Sequence, residues 1–288
     1  MGEIPISWYD NGIEITEDSF SRRFQKDVIM ENPQIVLEAR PMDTLWFEHA
    51  ACLKKTGGYE LLRTEQGMFL MNHWGTCRHA FGIYLDELWK NSALPVYFHE
   101  RFSSQVPLQM TRFLSSVGLH SKLLQNHAPV IHASYIVHAG RAILFSAPEQ
   151  TGKSTQARLW AQYRGARTIN DDRVLLRANE NVWKAYGYPC CGSSNICENE
   201  TYPVAAIVIL EQAPENRVEQ MRVPAKIRAL VSAMEIYAWD SREVDMAFSM
   251  AEEMIRQVPV IKLRCRPDQE AVQVLYQYLE ENGYVESD

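Results

Sequence analysis

An excess of basic charge is the first thing this chain of 288 residues lacks: 29 Lys and Arg stand against 36 Asp and Glu, a formal net charge of −7. The cations are dispersed rather than gathered into a stripe, so neither a nucleic-acid backbone nor an anionic membrane is expected as its partner. Long apolar runs are missing too. The longest, Val204-Ala-Ala-Ile-Val-Ile-Leu210, suits a buried strand and falls far short of the about 20 residues that span a bilayer. The opening residues Met1-Gly-Glu-Ile-Pro-Ile-Ser-Trp8 carry no basic segment followed by an apolar stretch, and Ser7 stands one place late for the acylation pattern. A cytoplasmic protein is expected. Cysteine is sparse and irregular: Cys52, Cys77, Cys190, Cys191, Cys197 and Cys265 show no repeated spacing, so free thiols are predicted. Cys190, Cys191 and Cys197 have no histidine after them, and a Cys-Cys pair followed by five residues is not a zinc spacing, so a thiolate metal site is not expected. Internal repeats, low-complexity tracts and coiled-coil heptads are likewise missing.

What is present is an ordinary globular composition, 46% hydrophobic, enough for a full core in one large or two smaller domains. The patterning changes near residue 128, which divides the chain into an N-terminal α+β portion, 1–128, and a second domain, 129–288. In the first portion Tyr59–Arg63 and Gly67–Asn72 read as a hairpin around Thr64–Gly67, Ala80–Trp89 has helical spacing, Leu94–His99 is extended, and a second helix runs from Pro107 to about Leu124. No chemistry is legible in it. In the second domain Val130–Val137 and Arg141–Phe145 read as strands joined by the turn His138-Ala-Gly140. A helix over Ser154–Tyr163 ends at Gly165, and Thr168–Leu176 is a strand interrupted by acid. Val204–Leu210 is a central strand, followed by helices over Pro224–Tyr237, from Asp240 to about Gln257 with a capping box of Asp240 and Glu243, and from Cys265-Arg-Pro-Asp268 to about Glu281.

Phe145-Ser-Ala-Pro-Glu-Gln-Thr-Gly-Lys-Ser-Thr155 follows an apolar strand and opens a helix, which is the setting of a phosphate-binding loop. Backbone N–H groups around Gly152 would face phosphate oxygens, the Lys153 ammonium would reach the β- and γ-phosphates, and the Ser154 hydroxyl would serve Mg²⁺. Thr155 offers a second phosphate contact. The match is imperfect. Ala147 occupies the place of the first glycine, Pro148 has no N–H, Glu149 brings a carboxylate close, and the plainer alternative is an ordinary helix start with a solvated lysine. Asp171 and Asp172 sit where apolar residues would otherwise continue, a costly arrangement unless the carboxylates have a cation to hold; alternatively they end a strand and cap a turn. Gly192-Ser-Ser-Asn195 is either a plain loop or part of a nucleotide or acceptor site, and Glu211 reads as the first solvated residue after a buried strand.

The order of His132-Ala133, the Gly152-Lys153-Ser154 loop, Gly165-Ala-Arg-Thr-Ile-Asn-Asp-Asp172 and the segment Tyr186–Asn195 resembles the catalytic domain of HPr kinase/phosphorylase and the related P-loop fold of ATP-dependent phosphoenolpyruvate carboxykinase. The resemblance covers about residues 130 to 280 and does not extend to the N-terminal portion. The Lys153–Ala157 run is also similar to nucleoside monophosphate kinases, whose arginine-rich lid is not evident here. Two glycines usual in the loop are replaced by Ala147 and Gln150, positions where glycine lets the backbone approach phosphate or take positive φ.

The resemblance implies an α/β P-loop kinase domain, a mixed sheet flanked by helices, that binds ATP and Mg²⁺. It implies catalytic roles for His132, Lys153, Asp171 and Asp172, nucleotide contacts from Gly152, Lys153, Ser154 and Thr155, and a metal held by Ser154 and one carboxylate. Asp172 is assigned to the metal and Asp171, placed close to His132, to the acceptor hydroxyl, although the sequence does not divide the two roles. The expected activity is ATP-Mg-dependent phosphorylation of a hydroxyl, a Ser or Thr of a protein or peptide. Alternatives are a small-molecule kinase and a non-catalytic nucleotide-binding regulator or assembly factor. No arginine set for carboxylate substrates is evident.

Overall fold

The computed structural model describes residues 1–25, 33–56, 58–90, 92–100, 102 and 107–286. The chain is a mixed α/β protein that divides into two units, Glu3–Lys122 and Leu123–Asp288, the latter joined by Met1–Gly2. Among the described residues no helix is long and apolar enough to cross a membrane.

The N-terminal unit is built on strands β1 (Ile6–Tyr9), β2 (Ile35–Pro41), β3 (Ala51–Lys55), β4 (Tyr59–Arg63), β5 (Met68–Trp74), β6 (Cys77–Tyr84) and β7 (Ala93–Phe98), with the short helix α1 (Glu87–Lys90) before β7. They form a seven-stranded sheet in the order β1-β2-β7-β6-β5-β4-β3, parallel for β1–β2 and β2–β7 and antiparallel elsewhere. The hairpin read at Tyr59–Asn72 is there. The helix read over Ala80–Trp89 is not: Ala80–Tyr84 belong to β6, and only Glu87–Lys90 are helical. Four consecutive residues of β6 are buried, and an unbroken apolar run does not distinguish a strand from a helix. The helix read from Pro107 is split into α2 (Met110–Ser116) and α3 (Leu119–Gln125). Gly118 lies between them at φ +68°, a left-handed conformation that ends a helix, and Pro107 stands ahead of the first turn. Glu60 on β4 is fully buried and holds Lys55 at 2.8 Å, Arg78 at 3.0 Å, His79 at 2.6 Å and His73 at 3.7 Å. Burial pushes its carboxyl up, but the hydrogen bonds from Lys55, His79 and Arg78 outweigh that and bring it down to about 2.

The C-terminal unit runs β8 (Val130–His132), β9 (Ser134–His138), β10 (Arg141–Ser146), α4 (Lys153–Arg164), β11 (Arg167–Asn170), β12 (Arg173–Asn179), β13 (Val182–Tyr186), β14 (Thr201–Gln212), β15 (Arg217–Gln220), α5 (Val223–Ala233), α6 (Ser241–Met254), β16 (Val260–Cys265) and α7 (Gln269–Glu281). The strands follow the order β11-β9-β10-β14-β13-β12-β8, with β16 on β14 and β15 on β16. β10, β14 and β16 are parallel. Alternation along the central strands feeds two cores: Leu144 and Ile207 face Leu230, Ala247 and Met250 on one side, while Ile143, Phe145 and Val208 face Trp160, Val272 and Leu275 on the other. That pattern is what a sheet covered on both faces requires.

The hairpin β9–β10 turns through Ala139 and Gly140, both at positive φ, the conformation that matches strand twist in two-residue loops. α5 stops at Ala233, short of the predicted Tyr237, and its successor residues Met234 and Glu235 bond to β8 instead. At α6, Asp240 caps Arg242 N as expected, Asp240 N donates to the Tyr237 carbonyl at 2.8 Å, and Glu243 accepts from Tyr237 N at 2.7 Å.

One feature of the topology positions the loop, the histidine and the two aspartates. Ala133 alone separates β8 from β9, and Asp171–Asp172 alone separate β11 from β12, yet β8 pairs with β12 while β9 pairs with β11 and β10. The run read as a single interrupted strand, Thr168–Leu176, is therefore two strands at different places in the sheet. The path closes on itself where Ala133 N donates to the Asp172 carbonyl at 3.0 Å and Ser134 Oγ to the Asp171 carbonyl at 3.0 Å.

Candidate active site

β10 carries the chain into the loop 147–152, where the backbone leaves the sheet and re-enters regular structure at α4. Gly152 precedes the helix at φ +114°, with open space where a Cβ would stand. The N–H groups of the first turn, Lys153 to Thr155, have no acceptors inside the helix and carry its positive dipole end. Lys153 is buried, and its ammonium donates to the Ala147 carbonyl at 2.9 Å and the Pro148 carbonyl at 3.4 Å. Burial lowers its pKa, while the charges of Asp172 and Glu149 oppose that shift. Ser154 is exposed and Thr155 half-buried at the mouth of this turn. Gln150 takes φ +60°, so the non-glycine residue standing where the kinase resemblance would place glycine adopts a left-handed backbone. Gln212, at the end of β14, reaches the Gln150 and Thr151 carbonyls at 3.4 Å.

Across the seam, β8 and β12 hold His132 opposite Arg173. His132 Nδ1 lies 3.1 Å from Asp172 Oδ1. This hydrogen bond is the main cause of a lowered Asp172 pKa; burial acts against it, and the charges of Arg173, His132 and Lys153 add to it. Asp172 is thus an anion near both His132 and Lys153. Its other oxygen is 3.5 Å from Arg173 Nη1, and Arg173 Nε is 3.1 Å from Glu235. Ser146, the last residue of β10, donates to the His132 carbonyl at 2.9 Å and ties the loop's entry to the histidine strand.

Asp171 points elsewhere. The expectation of Asp171 beside His132 is not met: the carboxylate there belongs to Asp172. Asp171 is buried and accepts from Gly192 N at 2.7 Å and Ser194 N at 2.9 Å. Its side chain anchors the 187–200 connection, and a Cβ on Gly192 would come within 3.0 Å of its Oδ2. The segment Gly192–Asn195 is accordingly a loop held by Asp171. Gly187 opens the same connection at a point where a Cβ would stand 1.8 Å from the Glu198 carbonyl. Cys190 is buried, which pushes its thiol up to about 12, and Cys197 Sγ donates to the Tyr188 carbonyl at 2.9 Å. Glu211 is paired with Lys262 at 2.7 Å and Arg264 at 2.9 Å at the surface.

Three residues of the site were not singled out in the sequence. Asn170, Arg173 and Glu235 complete the surroundings of Asp172, and only Asn170 left a trace there. An Asn three places before a strand resumes is the sequence sign of an Asx turn.

The family model described as SynChlorMet cassette protein ScmC matches residues 101–269, more than half of the chain, and that span contains every candidate residue above. The chain belongs to the ScmC family. Among solved structures, this ScmC family member is similar to the Hpr(Ser) kinase/phosphatase from Coxiella burnetii, at 15% sequence identity over 54% of this chain and 93% of that chain, with a TM-score of 0.30. No curated protein matches it. Among the described residues no three or more His, Cys, Asp or Glu side chains are grouped to hold a metal ion on their own.

Proposed function

We propose that the chain is an ATP-Mg-dependent phosphotransferase that phosphorylates a hydroxyl group, a Ser or Thr of a protein or peptide. The observation that carries the reading is the meeting of two pieces remote in sequence: a helix start with its lysine, Lys153, and an ionised carboxylate, Asp172, hydrogen-bonded to His132. Phosphoryl transfer needs charge neutralised and atoms held in line more than it needs covalent help.

In this reading the N–H groups at the start of α4 and the Lys153 ammonium bind the phosphates, with Lys153 leaving the Ala147 and Pro148 carbonyls to do so. Ser154 and Asp172 are the residues that would hold Mg²⁺, directly or through water, and the ion would neutralise phosphate charge. The fit is chemical: an exposed hydroxyl and one carboxylate, with no all-protein cage, are what an ion arriving with phosphates uses. Asp172 accepts from His132 Nδ1–H, which fixes the tautomer and leaves Nε2 free to take the proton of the acceptor hydroxyl. Asp171 serves from behind by holding the Gly192–Ser194 backbone.

A second reading, a nucleotide-binding regulator without turnover, is favoured by the loop itself: Pro148 offers no N–H, and Gln150 bears a side chain at φ +60°. Incubation with ATP and Mg²⁺ and candidate hydroxyl acceptors separates the two. The kinase reading expects nucleotide turnover and a labelled acceptor, both lost in Lys153→Ala and Asp172→Ala; binding with no transfer to any acceptor tried supports the regulator.

A further inference from the structure

Asn170 is fully buried at the end of β11, and its side-chain amide makes four hydrogen bonds, all to backbone. Oδ1 accepts from Asp172 N and Arg173 N, each at 2.9 Å. Nδ2 donates to the Tyr188 and Cys190 carbonyls, each at 2.9 Å. A primary amide has two donors and one oxygen with two lone pairs, so its capacity is used in full. The residue is also held from outside: Asn170 bridges to Cys197, and Glu198 N donates to the Ile169 carbonyl at 2.9 Å.

The two halves of the amide do different work. The turn after Asn170 is the seam where β11 stops and β12 begins, so the N–H groups of Asp172 and Arg173 would lose their ladder partners there. Oδ1 supplies them, and in doing so sets the backbone from which the Asp172 carboxylate reaches His132. Nδ2 draws in Tyr188–Cys190, the stretch before the Gly192–Ser194 backbone that Asp171 holds. Three consecutive residues thus fasten four things: Asn170 the turn and the incoming loop, Asp171 the loop's tip, and Asp172 the histidine.

We infer that Asn170 is a positioning residue for the His132–Asp172 pair, locking the acid turn and the 188–190 segment into one rigid unit. The inference rests on the phosphotransferase reading for its effect on turnover, but the mechanical link stands on the hydrogen bonds alone. A residue that merely fills space would make the turn and the loop respond alike to any substitution. A divided amide makes them separable: Asn170→Ser keeps a short oxygen that can cap the turn and has no donor able to reach Tyr188 and Cys190, whereas Asn170→Ala loses both halves.

The test compares Asn170→Ala and Asn170→Ser with wild type in the full chain, by hydrogen exchange without nucleotide and by turnover of ATP-Mg with its KM. The expected result for Ala is faster exchange in both 171–174 and 187–195, with exchange in α7 unchanged, and turnover down by at least about tenfold at a KM for ATP that stays near wild type, since small displacements near the chemistry cost that much. For Ser, faster exchange confined to 187–195 and turnover closer to wild type are expected. Equal loosening of both segments by Ser, or no loosening of 171–174 by Ala, overturns the inference, as does undiminished turnover when both segments have loosened. If Ala does not fold, the Ser pattern alone decides. If wild-type protein turns over no ATP with any acceptor, the phosphotransferase reading fails, and the exchange arm still decides whether the amide locks the two segments together.

Discussion

Neighbouring aspartates with the same chemistry carry opposite burdens here, and the difference is measurable. Asp171 is buried and accepts from the backbone N–H groups of half-buried Gly192 and exposed Ser194, so Asp171→Ala removes two hydrogen bonds and is expected to cost about 1–3 kcal/mol of stability. Asp172 faces His132 and Lys153 at a partly open site, so Asp172→Asn, which keeps shape, should change the melting midpoint little and abolish turnover. Thermal melts of the two variants beside a turnover assay check both statements at once. Gln150 makes a third residue-scale case. Its φ of +60° costs a non-glycine residue about 1 kcal/mol, which Gly would relieve while losing a similar amount of unfolded-state advantage. Gln150→Gly is therefore expected to leave stability near wild type while tightening ATP binding by calorimetry, because the loop then reaches the phosphates without strain; weaker binding would contradict the cradle. The type of each residue was legible in the sequence, but its direction was not. Nothing in Asn-Asp-Asp says which carboxylate turns to the loop and which to the histidine, because that is decided by where β8 and β12 pair.

Elements were legible where local chemistry and tertiary packing agree. The Ala139–Gly140 turn, the start of α4 after Gly152 and its stop at Gly165 all rest on backbone conformations that glycine permits. They failed where packing decides. β6 carries a solid apolar run buried on both faces, which spacing reads as helix, and Gly118 breaks a helix whose apolar pattern continues past it. The one-strand reading of Thr168–Leu176 failed for the same reason that makes the site: the sheet closes there. At this scale the Glu60 cluster ties β3, β4, β5 and β6 together through Lys55, His73, Arg78 and His79. Its folded pKa of about 2 lies below the ordinary 4.5. The ionised form is favoured in the folded state, so its contribution is fully present above about pH 4.5 and is lost as pH falls through 2. Glu60→Gln should therefore melt lower than wild type at neutral pH, and the gap should narrow between pH 4.5 and 2. A constant gap across that range would show that the carboxylate's charge does not matter.

On the scale of the molecule, every residue proposed for chemistry lies in the unit formed by Leu123–Asp288 with Met1–Gly2, and the parallel strands β10, β14 and β16 bring the loop to the end of the sheet where ligands bind in such folds. In the phosphotransferase reading this unit binds a nucleoside triphosphate through Lys153 and the start of α4. Anything bound by the folded state alone stabilises it by mass action, by about 2.7 kcal/mol when the ligand is a hundredfold above its Kd, and so raises its melting point. The direct measurement is the melting temperature of wild type and Lys153→Ala with and without millimolar ATP-Mg. A rise in wild type that disappears in Lys153→Ala, with the two apo proteins melting alike, is the expected result; no rise in wild type, or an equal rise in both, would contradict it.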